Sequence, residues 1–172
     1  MELKDRKVFL ENDKVLVTLW DKDDEYLGYL IWGNPDIVKY MTSFAYTIQN
    51  INQMIDEEKR SFQTTGVCNF PVFSKIENAF IGVCGLHQVD RGYQFYLAIM
   101  PNKWHRGYGS EVGSLMIDYA FRVLKAPYVF ALRHPDDEYL EVVLEKLKFE
   151  RASKRYWKPT NKMHYSYWLS NS

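Results

Sequence analysis

The residues with the clearest chemical implication lie between a predicted strand and a predicted helix. Gly107 and Gly109 directly precede Ser110 and Glu111, and Arg106 stands in front of them. Two glycines let the backbone turn tightly with its N–H groups directed at one point, and the start of a helix adds partial positive charge there. We therefore expect an anion at this loop, with Arg106 adding a full charge. An ordinary glycine-rich turn is the alternative.

The glycines alone leave the identity of that anion open. A diphosphate suits several converging donors. Gly107, Gly109 and Gly113 also fit a dinucleotide-binding variant, as in an NADP-dependent reductase, and Arg133 ends the next predicted strand. Dinucleotide loops, however, follow their strand within a residue or two inside a βαβ unit, whereas about six residues intervene here and antiparallel strands are predicted to precede. No lysine follows the glycines, as a nucleoside-triphosphate loop would require.

Length and charge restrict the class of protein. The chain has 172 residues, which suits one domain spanning residues 1–172. Lys and Arg total 22 and Asp and Glu total 22, so the broad positive field of nucleic-acid binders is missing. We therefore expect no nucleic-acid partner.

The compartment is predicted from the apolar stretches and the cysteines. Residues 1–8 lack the apolar core of a secretory signal, and the longest apolar stretch, residues 79–86, is far shorter than the about twenty residues of a membrane span. Cys68 and Cys84 do not form a metal-type pair. We expect a cytoplasmic protein with no membrane partner, no metal and two reduced, buried cysteines.

Hydrophobic periodicity predicts the elements of the first half of the chain. A hairpin is predicted over residues 8–11 and 15–20. A helix follows the acidic residues 21–25, whose charge suits a helix start, and it ends near Gly33. A second helix begins after Thr47 as N-cap and ends before Gly66.

In the second half of the chain the hydrophobic pattern first has the period of two that is typical of strands. Predicted helices and strands then alternate. Three runs rich in β-formers predict an antiparallel meander over residues 67–74, 79–89 and 94–100. There follow a helix of about four turns after the glycine loop, a strand at 128–132, a helix through residues 140–147 and a hairpin of 149–158 with 164–169. The fold class predicted by this order is α/β (α+β mixed), with a mostly antiparallel central sheet flanked by helices.

Three segments, in the same order, resemble signatures of the GNAT family of N-acetyltransferases, and in particular of its ribosomal-protein N-terminal acetyltransferase-like branch. Residues 101–111, PNKWHRGYGSE, are similar to that branch's P-x-x-W-G-K-G-Y-A-T-E. Residues 143–149, VLEKLKF, are similar to V-L-E-K-L-G-F, and residues 34–41, NPDIVKYM, resemble D-P-E-V-x-K-Y-M. The resemblance spans most of the chain.

This resemblance implies an activity, a fold and a cofactor site. The activity is transfer of an acetyl group from acetyl-CoA to a primary amine, on a protein N-terminus or a small molecule, by direct attack in a ternary complex within a monomer or homodimer. The strands that the family numbers fourth and fifth, at residues 94–100 and 128–134, would splay apart. The implied CoA-binding residues are Leu97, Ile99, Met100, Trp104, His105, Arg106, Gly107, Tyr108, Gly109, Ser110 and Asp137.

The departures from the family pattern concern catalysis. Gln94 replaces a glutamate and cannot act as a base, and Leu140 stands where the family prefers Ser or Ala. Leu144 occupies the position of the tyrosine that protonates the thiolate in many relatives. A catalytically weak acyl-CoA-binding or regulatory module is therefore the alternative function.

The remaining candidate catalytic residues are His87, Asp137 and Tyr139, with Asp90 and His134 behind them. Each has a structural alternative: a hydrogen-bonded strand-end histidine, a helix N-cap for Asp137, and an exposed helix tyrosine for Tyr139. Water relaying the proton is a further alternative. The basic residues Arg151, Lys154, Arg155, Lys158 and Lys162 suit a solvated hairpin edge or, alternatively, an acidic substrate or the nucleotide 3′-phosphate.

Overall fold

The fold is an eight-stranded sheet with helices on both faces. The computed structural model describes residues 2–172. The strands are β1 Val8–Glu11, β2 Val15–Thr18, β3 Asn69–Ser74, β4 Ala79–Val89, β5 Gly92–Ile99, β6 Tyr128–Arg133, β7 Glu150–Trp157 and β8 Lys162–Ser170. They lie in the order β1-β2-β3-β4-β5-β6-β8-β7, and only the β5–β6 pair is parallel. The predicted mixed, mostly antiparallel sheet is confirmed.

Five α-helices flank this sheet, namely α1 Glu25–Trp32, α2 Pro35–Val38, α3 Ile48–Thr65, α4 Tyr108–Arg122 and α5 Glu138–Lys146. Successive side chains of β5 show which helices cover which face. Phe95 and Leu97 pack beneath α4, beside Gly113 and Gly109. Tyr96 points the opposite way, and its hydroxyl accepts a hydrogen bond from Trp32 of α1. One face therefore carries α4 and the other carries α1 and α3.

The sheet opens between β5 and β6. Their parallel register joins only Tyr93 with Val129 and Gln94 with Phe130, after which the two strands part. Because α4 connects these two parallel neighbours, β5, α4 and β6 form a βαβ unit, while the antiparallel strands β4 and β5 precede the glycine loop as predicted. The predicted splay is confirmed, and it creates a cleft in an otherwise continuous sheet.

The caps of α3 follow the sequence prediction. The Thr47 hydroxyl accepts a hydrogen bond from Asn50 N at 3.1 Å, and the Asn50 side chain accepts one from Thr47 N at 3.1 Å. This reciprocal pair satisfies two N–H groups that a helix start leaves free. Gly66 ends the helix with a φ of +79°, a conformation that costs glycine little.

Other element boundaries differ from the predicted ones by a few residues, and the helix α2 was not predicted. The strand predicted over residues 15–20 ends at Thr18, and β3 begins at Asn69 rather than at residue 67. The short helix α2 forms because Asn34 caps the Asp36 N–H and Pro35 occupies the first turn. None of the helices among residues 2–172 is both long and apolar enough to cross a membrane.

The basic hairpin edge is solvent-exposed, which agrees with the prediction of a solvated edge. Every residue of β7 is exposed at the sheet edge. Arg151 and Lys154 lie over the ring of Tyr165, and Arg155 lies over the rings of Phe130 and Trp168. Charges on an edge strand hinder unwanted pairing with another sheet.

A buried ion pair fixes the start of α1 to the N-terminal segment. The Arg6 guanidinium donates to both carboxylate oxygens of Asp24, at 3.1 and 2.5 Å, and Arg6 also donates to Thr18 Oγ1 at 2.9 Å. The Asp24 side chain is fully buried, and it accepts a further hydrogen bond from Asp21 N. The acidic residues before α1 therefore do more than complement a helix dipole.

Replacing Asp24 by Ala should lower the free energy of unfolding by about 3–5 kcal/mol, because the substitution leaves the Arg6 charge buried beside an apolar side chain. Urea denaturation monitored by circular dichroism measures this change. The exposed neighbour Asp21 is the control, and Asp21→Ala should cost no more than about 0.5 kcal/mol. Equal losses in the two variants would contradict the role given to the ion pair.

A second buried polar group lies where β6 and β8 meet. The rings of His134 and His164 are 5.2 Å apart, and His164 Nε2 lies 2.8 Å from Thr160 Oγ1. Burial, and then the neighbouring His134, lower the pKa of His164 to about 4. His164 is therefore neutral in the folded protein at neutral pH.

This shift predicts an acid-sensitive stability. The unfolded chain binds a proton at the ordinary histidine pKa of 6.5, and the folded protein binds it only near pH 4. The free energy of unfolding should therefore fall as the pH drops through this interval, by up to about 3 kcal/mol in total. Urea denaturation across the interval should show a smaller fall in His164→Gln. The exposed His105 is the control, and His105→Gln should keep the wild-type pH dependence.

Candidate active site

The cleft between β5 and β6 is lined from both faces of the sheet. Its walls come from α2 and the following turn, from the end of β5, and from the segment that joins β6 to α5. The lining residues are Asp36, Ile37, Tyr40, Met41, Tyr96, Leu97, Ala98, Ile99, Trp104, Leu132, His134, Asp137, Tyr139 and Leu140. The cleft is therefore bordered by residues from both faces of the sheet.

Backbone groups of β5 face this cleft. Met100 N–H donates to the Ile81 carbonyl oxygen at 2.9 Å, so the even-numbered residues of this stretch pair with β4. By the alternation of an antiparallel pair, the N–H and C=O groups of Leu97 and Ile99 point away from β4 into the cleft. The Ile99 carbonyl accepts the Trp104 indole N–H at 2.7 Å. Leu97 and Ile99 therefore present backbone groups to the cleft, whereas Met100 turns its N–H to β4.

The glycine loop lies at the mouth of the cleft on the α4–α5 face. His105 and Gly107 have φ values of +63° and +82°, so the chain makes two left-handed turns before α4 begins. A second pocket at this point is lined by His105, Gly107, Gly109, Ser110, Tyr139, Val142, Val143 and Lys146. Its polar groups are the backbone amides of the first turn of α4 and the side chains of Lys146 and His105. The pocket suits an anion.

Tyr139 lies between the two pockets and lines both of them. Its ring stacks on Trp104 with centroids 5.0 Å apart, and its hydroxyl accepts a hydrogen bond from the Gly109 N–H. A Cβ atom at position 109 would lie 2.5 Å from that hydroxyl and 2.9 Å from Val143 Cγ2, so only glycine fits. Burial raises the pKa of Tyr139 to about 12. The interpretation of Tyr139 as an exposed helix residue is wrong.

Arg106 faces away from this pocket. Its guanidinium lies 2.8 Å from Glu77 Oε1 in the β3–β4 turn, and Lys103 Nζ lies 2.8 Å from the same oxygen. Hydrogen bonds from Lys103 and Tyr108, and the charges of both cations, lower the pKa of Glu77 to about 2. The Tyr108 side chain is buried and also contacts Ser74. Arg106 and Tyr108 therefore attach the loop to the β3–β4 turn, on the side away from the pocket.

The start of α5 closes the cleft on the β6 side. Asp137 Oδ1 accepts a hydrogen bond from Leu140 N at 3.1 Å, which confirms the predicted N-cap, and burial raises the pKa of Asp137. The buried Arg133 guanidinium donates to the carbonyls of His134, Pro135 and Asp137. Arg133 therefore holds the turn that carries His134 and Asp137 into the cleft wall.

His134 is arranged as a donor rather than as a base. Its Nδ1 accepts a hydrogen bond from Asp136 N at 3.0 Å, and burial lowers its pKa. A neutral imidazole whose Nδ1 accepts must carry its proton on Nε2. The structural interpretation of this histidine agrees with the contacts.

The candidate base His87 lies outside the cleft lining, on the α1–α3 face. It stands opposite Gln94 in the β4–β5 register, and its Nε2 is 3.7 Å from Glu58 Oε1 of α3. Burial lowers the pKa of His87. Asp90 is exposed in the hairpin turn and has a φ of +53°. Sequence reasoning missed Glu58, because one carboxylate in a polar helix has no motif that distinguishes it from its neighbours.

The comparisons with known proteins agree with this arrangement. The family profile described as "Acetyltransferase (GNAT) domain" matches residues 14–150. An uncharacterized N-acetyltransferase p20 of Bacillus licheniformis is 26% identical over 131 residues, which cover 70% of this chain and 70% of that protein.

Two solved structures have the same fold. A putative ribosomal-protein-serine acetyltransferase from Vibrio cholerae superposes with a TM-score of 0.80 at 15% identity, covering 94% of this chain and 96% of that one. A spermidine N-acetyltransferase from Vibrio cholerae, solved with CoA and spermine, gives 0.77 at 13% identity, covering 93% and 97%. The domain match covers most of the chain, and the splayed sheet agrees with it, so this protein is an acyltransferase of the GNAT family, whose members use acetyl-CoA.

Proposed function

We propose that the protein acetylates a primary amine, on a small molecule or a peptide N-terminus, by direct attack of the amine on acetyl-CoA in a ternary complex. The observation that carries this proposal is the parting of β5 and β6 beside the start of α4. It leaves the backbone of Leu97 and Ile99 facing a cleft that is lined by residues from both faces of the sheet. Two substrates can therefore meet in it from opposite sides.

The donor substrate fits the α4–α5 face. A pantetheine arm carries amide groups, and these would pair with the backbone groups of Leu97 and with the Ile99 N–H, since the Ile99 carbonyl already accepts the Trp104 indole N–H. The hydrogen bond from the Gly109 N–H to the Tyr139 hydroxyl indicates that an oxygen acceptor can reach this amide. A diphosphate oxygen would take the same position, and the amides of Gly107 and Ser110 and the side chains of His105 and Lys146 lie around it.

The residues that surround the cleft support direct transfer rather than an acyl-enzyme. Cys68 and Cys84 are both buried, and burial raises the pKa of each thiol far above neutrality. The lining as the structure describes it contains neither a cysteine nor a serine nor a threonine. These observations support attack on the thioester by the amine itself, after it has lost a proton.

The class of acceptor rests on chemistry shared by the family. The two solved structures named above are described as a putative ribosomal-protein-serine acetyltransferase and a spermidine N-acetyltransferase, so the described acceptors are a protein and a polyamine. Both offer a primary amine. The acceptor of this chain is therefore assigned to that class and no further.

Acetyl-CoA should stabilise the protein against thermal unfolding, by about 2.7 kcal/mol at one hundred times its dissociation constant, because it binds only the folded state. NADPH should have no effect. A panel of amines and peptides, assayed by thiol release, should then contain at least one substrate. Stabilisation by NADPH but not by acetyl-CoA would contradict the proposal. Binding of acetyl-CoA without transfer to any acceptor would favour the alternative, a catalytically weak acyl-CoA-binding module, which Gln94 and Leu144 allow.

Replacing Lys146 by Gln should raise the dissociation constant of acetyl-CoA by up to about fivefold, because one exposed cation beside the phosphates is lost. Isothermal titration calorimetry measures this, and the difference from wild type should shrink at high salt. Lys148 lies two residues further along and outside the pocket lining. Lys148→Gln is the matched control, and an equal effect in it would show that the pocket residue has no special role.

A further inference from the structure

A second groove lies beside the cleft, between the turn after α2 and the turn that joins β7 to β8. Two hydrogen bonds hold these turns together. Ser43 N donates to the Pro159 carbonyl at 2.8 Å, and the Trp157 indole N–H donates to the Met41 carbonyl at 3.0 Å. The groove between the turns is therefore a fixed feature of the fold, formed by segments that are more than a hundred residues apart.

The groove adjoins the cleft in which the acceptor amine would react. Tyr40 and His134 line both of them, and the groove adds two lysines, Lys39 and Lys162. The charges of these lysines reach the cleft wall. Burial raises the pKa of Asp137, and Lys39 opposes this effect. Burial also lowers the pKa of His134, and Lys162 lowers it further. A group bound in the groove therefore lies close to an amine in the cleft.

Both lysines keep their hydrogen-bond donors for a ligand. Lys39 Nζ lies 3.9 Å from Asp36 Oδ1, which is too long for a hydrogen bond. Lys162 Nζ likewise lies 3.9 Å from Asp136 Oδ2. The two carboxylates are 69% and 70% exposed, against 54% and 55% for the lysines, so water screens both pairs and each is weak.

A buried donor at the junction of groove and cleft has no partner. The His134 side chain is only 6% exposed, and its Nδ1 accepts a hydrogen bond from Asp136 N, so its proton lies on Nε2. No acceptor for Nε2–H exists among residues 2–172. The atom is nevertheless in contact with solvent, because Asn69 Oδ1 is the only side-chain polar atom of those residues that is both fully buried and unpaired. A ligand oxygen would satisfy this donor.

We propose that the acceptor carries a carboxylate close to its amine, and that Lys39, Lys162 and the His134 Nε2–H bind this carboxylate. The proposal rests on the acetyl transfer proposed above and names the chemical class of its acceptor. The α-carboxylate of a free amino acid and an acidic side chain near a peptide N-terminus offer the same chemistry. Because two lysines and one acid, Asp136, line the groove, a second ammonium group, as in a polyamine, fits less well.

The basic residues of the β7–β8 hairpin divide between the two faces of the sheet. Lys162 stands opposite Trp157, whose indole reaches the turn after α2. Lys154 stands opposite Tyr165, three residues further along β8, and lies over its ring, so the Lys154 side chain is on the other face. The acidic-substrate interpretation of this basic segment therefore applies to Lys162, and Lys154 is the matched control.

The test compares acceptors that differ by one carboxylate. One pair is alanine and alaninamide, and the other is the C-terminally amidated tripeptides Ala-Glu-Gly and Ala-Gln-Gly. For each pair, the ratio of kcat/KM for the acid to kcat/KM for the amide is measured by thiol release. Dividing the wild-type ratio by that of the double variant Lys39→Gln, Lys162→Gln cancels the difference in amine reactivity. We expect a quotient of about ten for the pair whose carboxylate reaches the groove, because two partly exposed ion pairs are lost.

Two controls show whether the effect is specific. Lys154→Gln should keep the wild-type ratio, and high salt should lower that ratio in the wild-type protein. The double variant should keep the acetyl-CoA affinity and the melting temperature, because both lysines are half exposed and lie outside the glycine-loop pocket. An equal effect in Lys154→Gln would indicate a general positive field and overturn the assignment.

The outcomes separate this proposal from the proposed function. A response of the alanine pair identifies an α-carboxylate, and a response of the tripeptide pair identifies an acidic side chain. A quotient near one for both pairs overturns the carboxylate assignment and leaves acetyl transfer standing. Activity confined to acceptors without an acidic group, such as spermidine, has the same consequence. If the wild type binds acetyl-CoA but acetylates no acceptor, both proposals fail.

Discussion

The parting of two parallel strands inside a sheet is the constraint on which the site depends. After Gln94, β5 and β6 no longer pair, so backbone groups in the middle of the sheet are left without a strand partner. Unpaired backbone groups in a protein interior cost free energy of folding. The fold supplies hydrogen-bond partners for only some of these groups, as when Trp104 donates to the Ile99 carbonyl. The groups of Leu97 and Ile99 that remain are suited to a ligand with amides of its own.

The two faces of the sheet carry different charged and polar groups. On the α4–α5 face the backbone amides at the start of α4 suit an anion, while Glu77 binds Arg106 and Lys103 on the far side of the loop. On the α1–α3 face Glu58 is a buried carboxylate held by Asn69, and burial raises its pKa.

Much of the fold was predictable because its signals are local. Thr47 caps the start of α3 through hydrogen bonds within the first helical turn, and Asp137 caps the start of α5 in the same way. Gly66 ends α3 with a left-handed backbone conformation that favours glycine. The glycine loop was also predictable, because a left-handed turn at Gly107 and a close contact at Gly109 both need glycine. The short helix α2 was missed, because its four residues are too few to show a period.

The sequence by itself predicted an anion site at the glycine loop and carried the family signatures around it, since both depend on residues adjacent in the chain. Only the tertiary structure decided that Tyr139 reaches the Gly109 amide and that Arg106 turns back to Glu77. It also decided that Glu58 of α3 meets Asn69 of β3. These contacts join residues that are distant in sequence, and their geometry follows from strand register and helix packing, which no local pattern encodes.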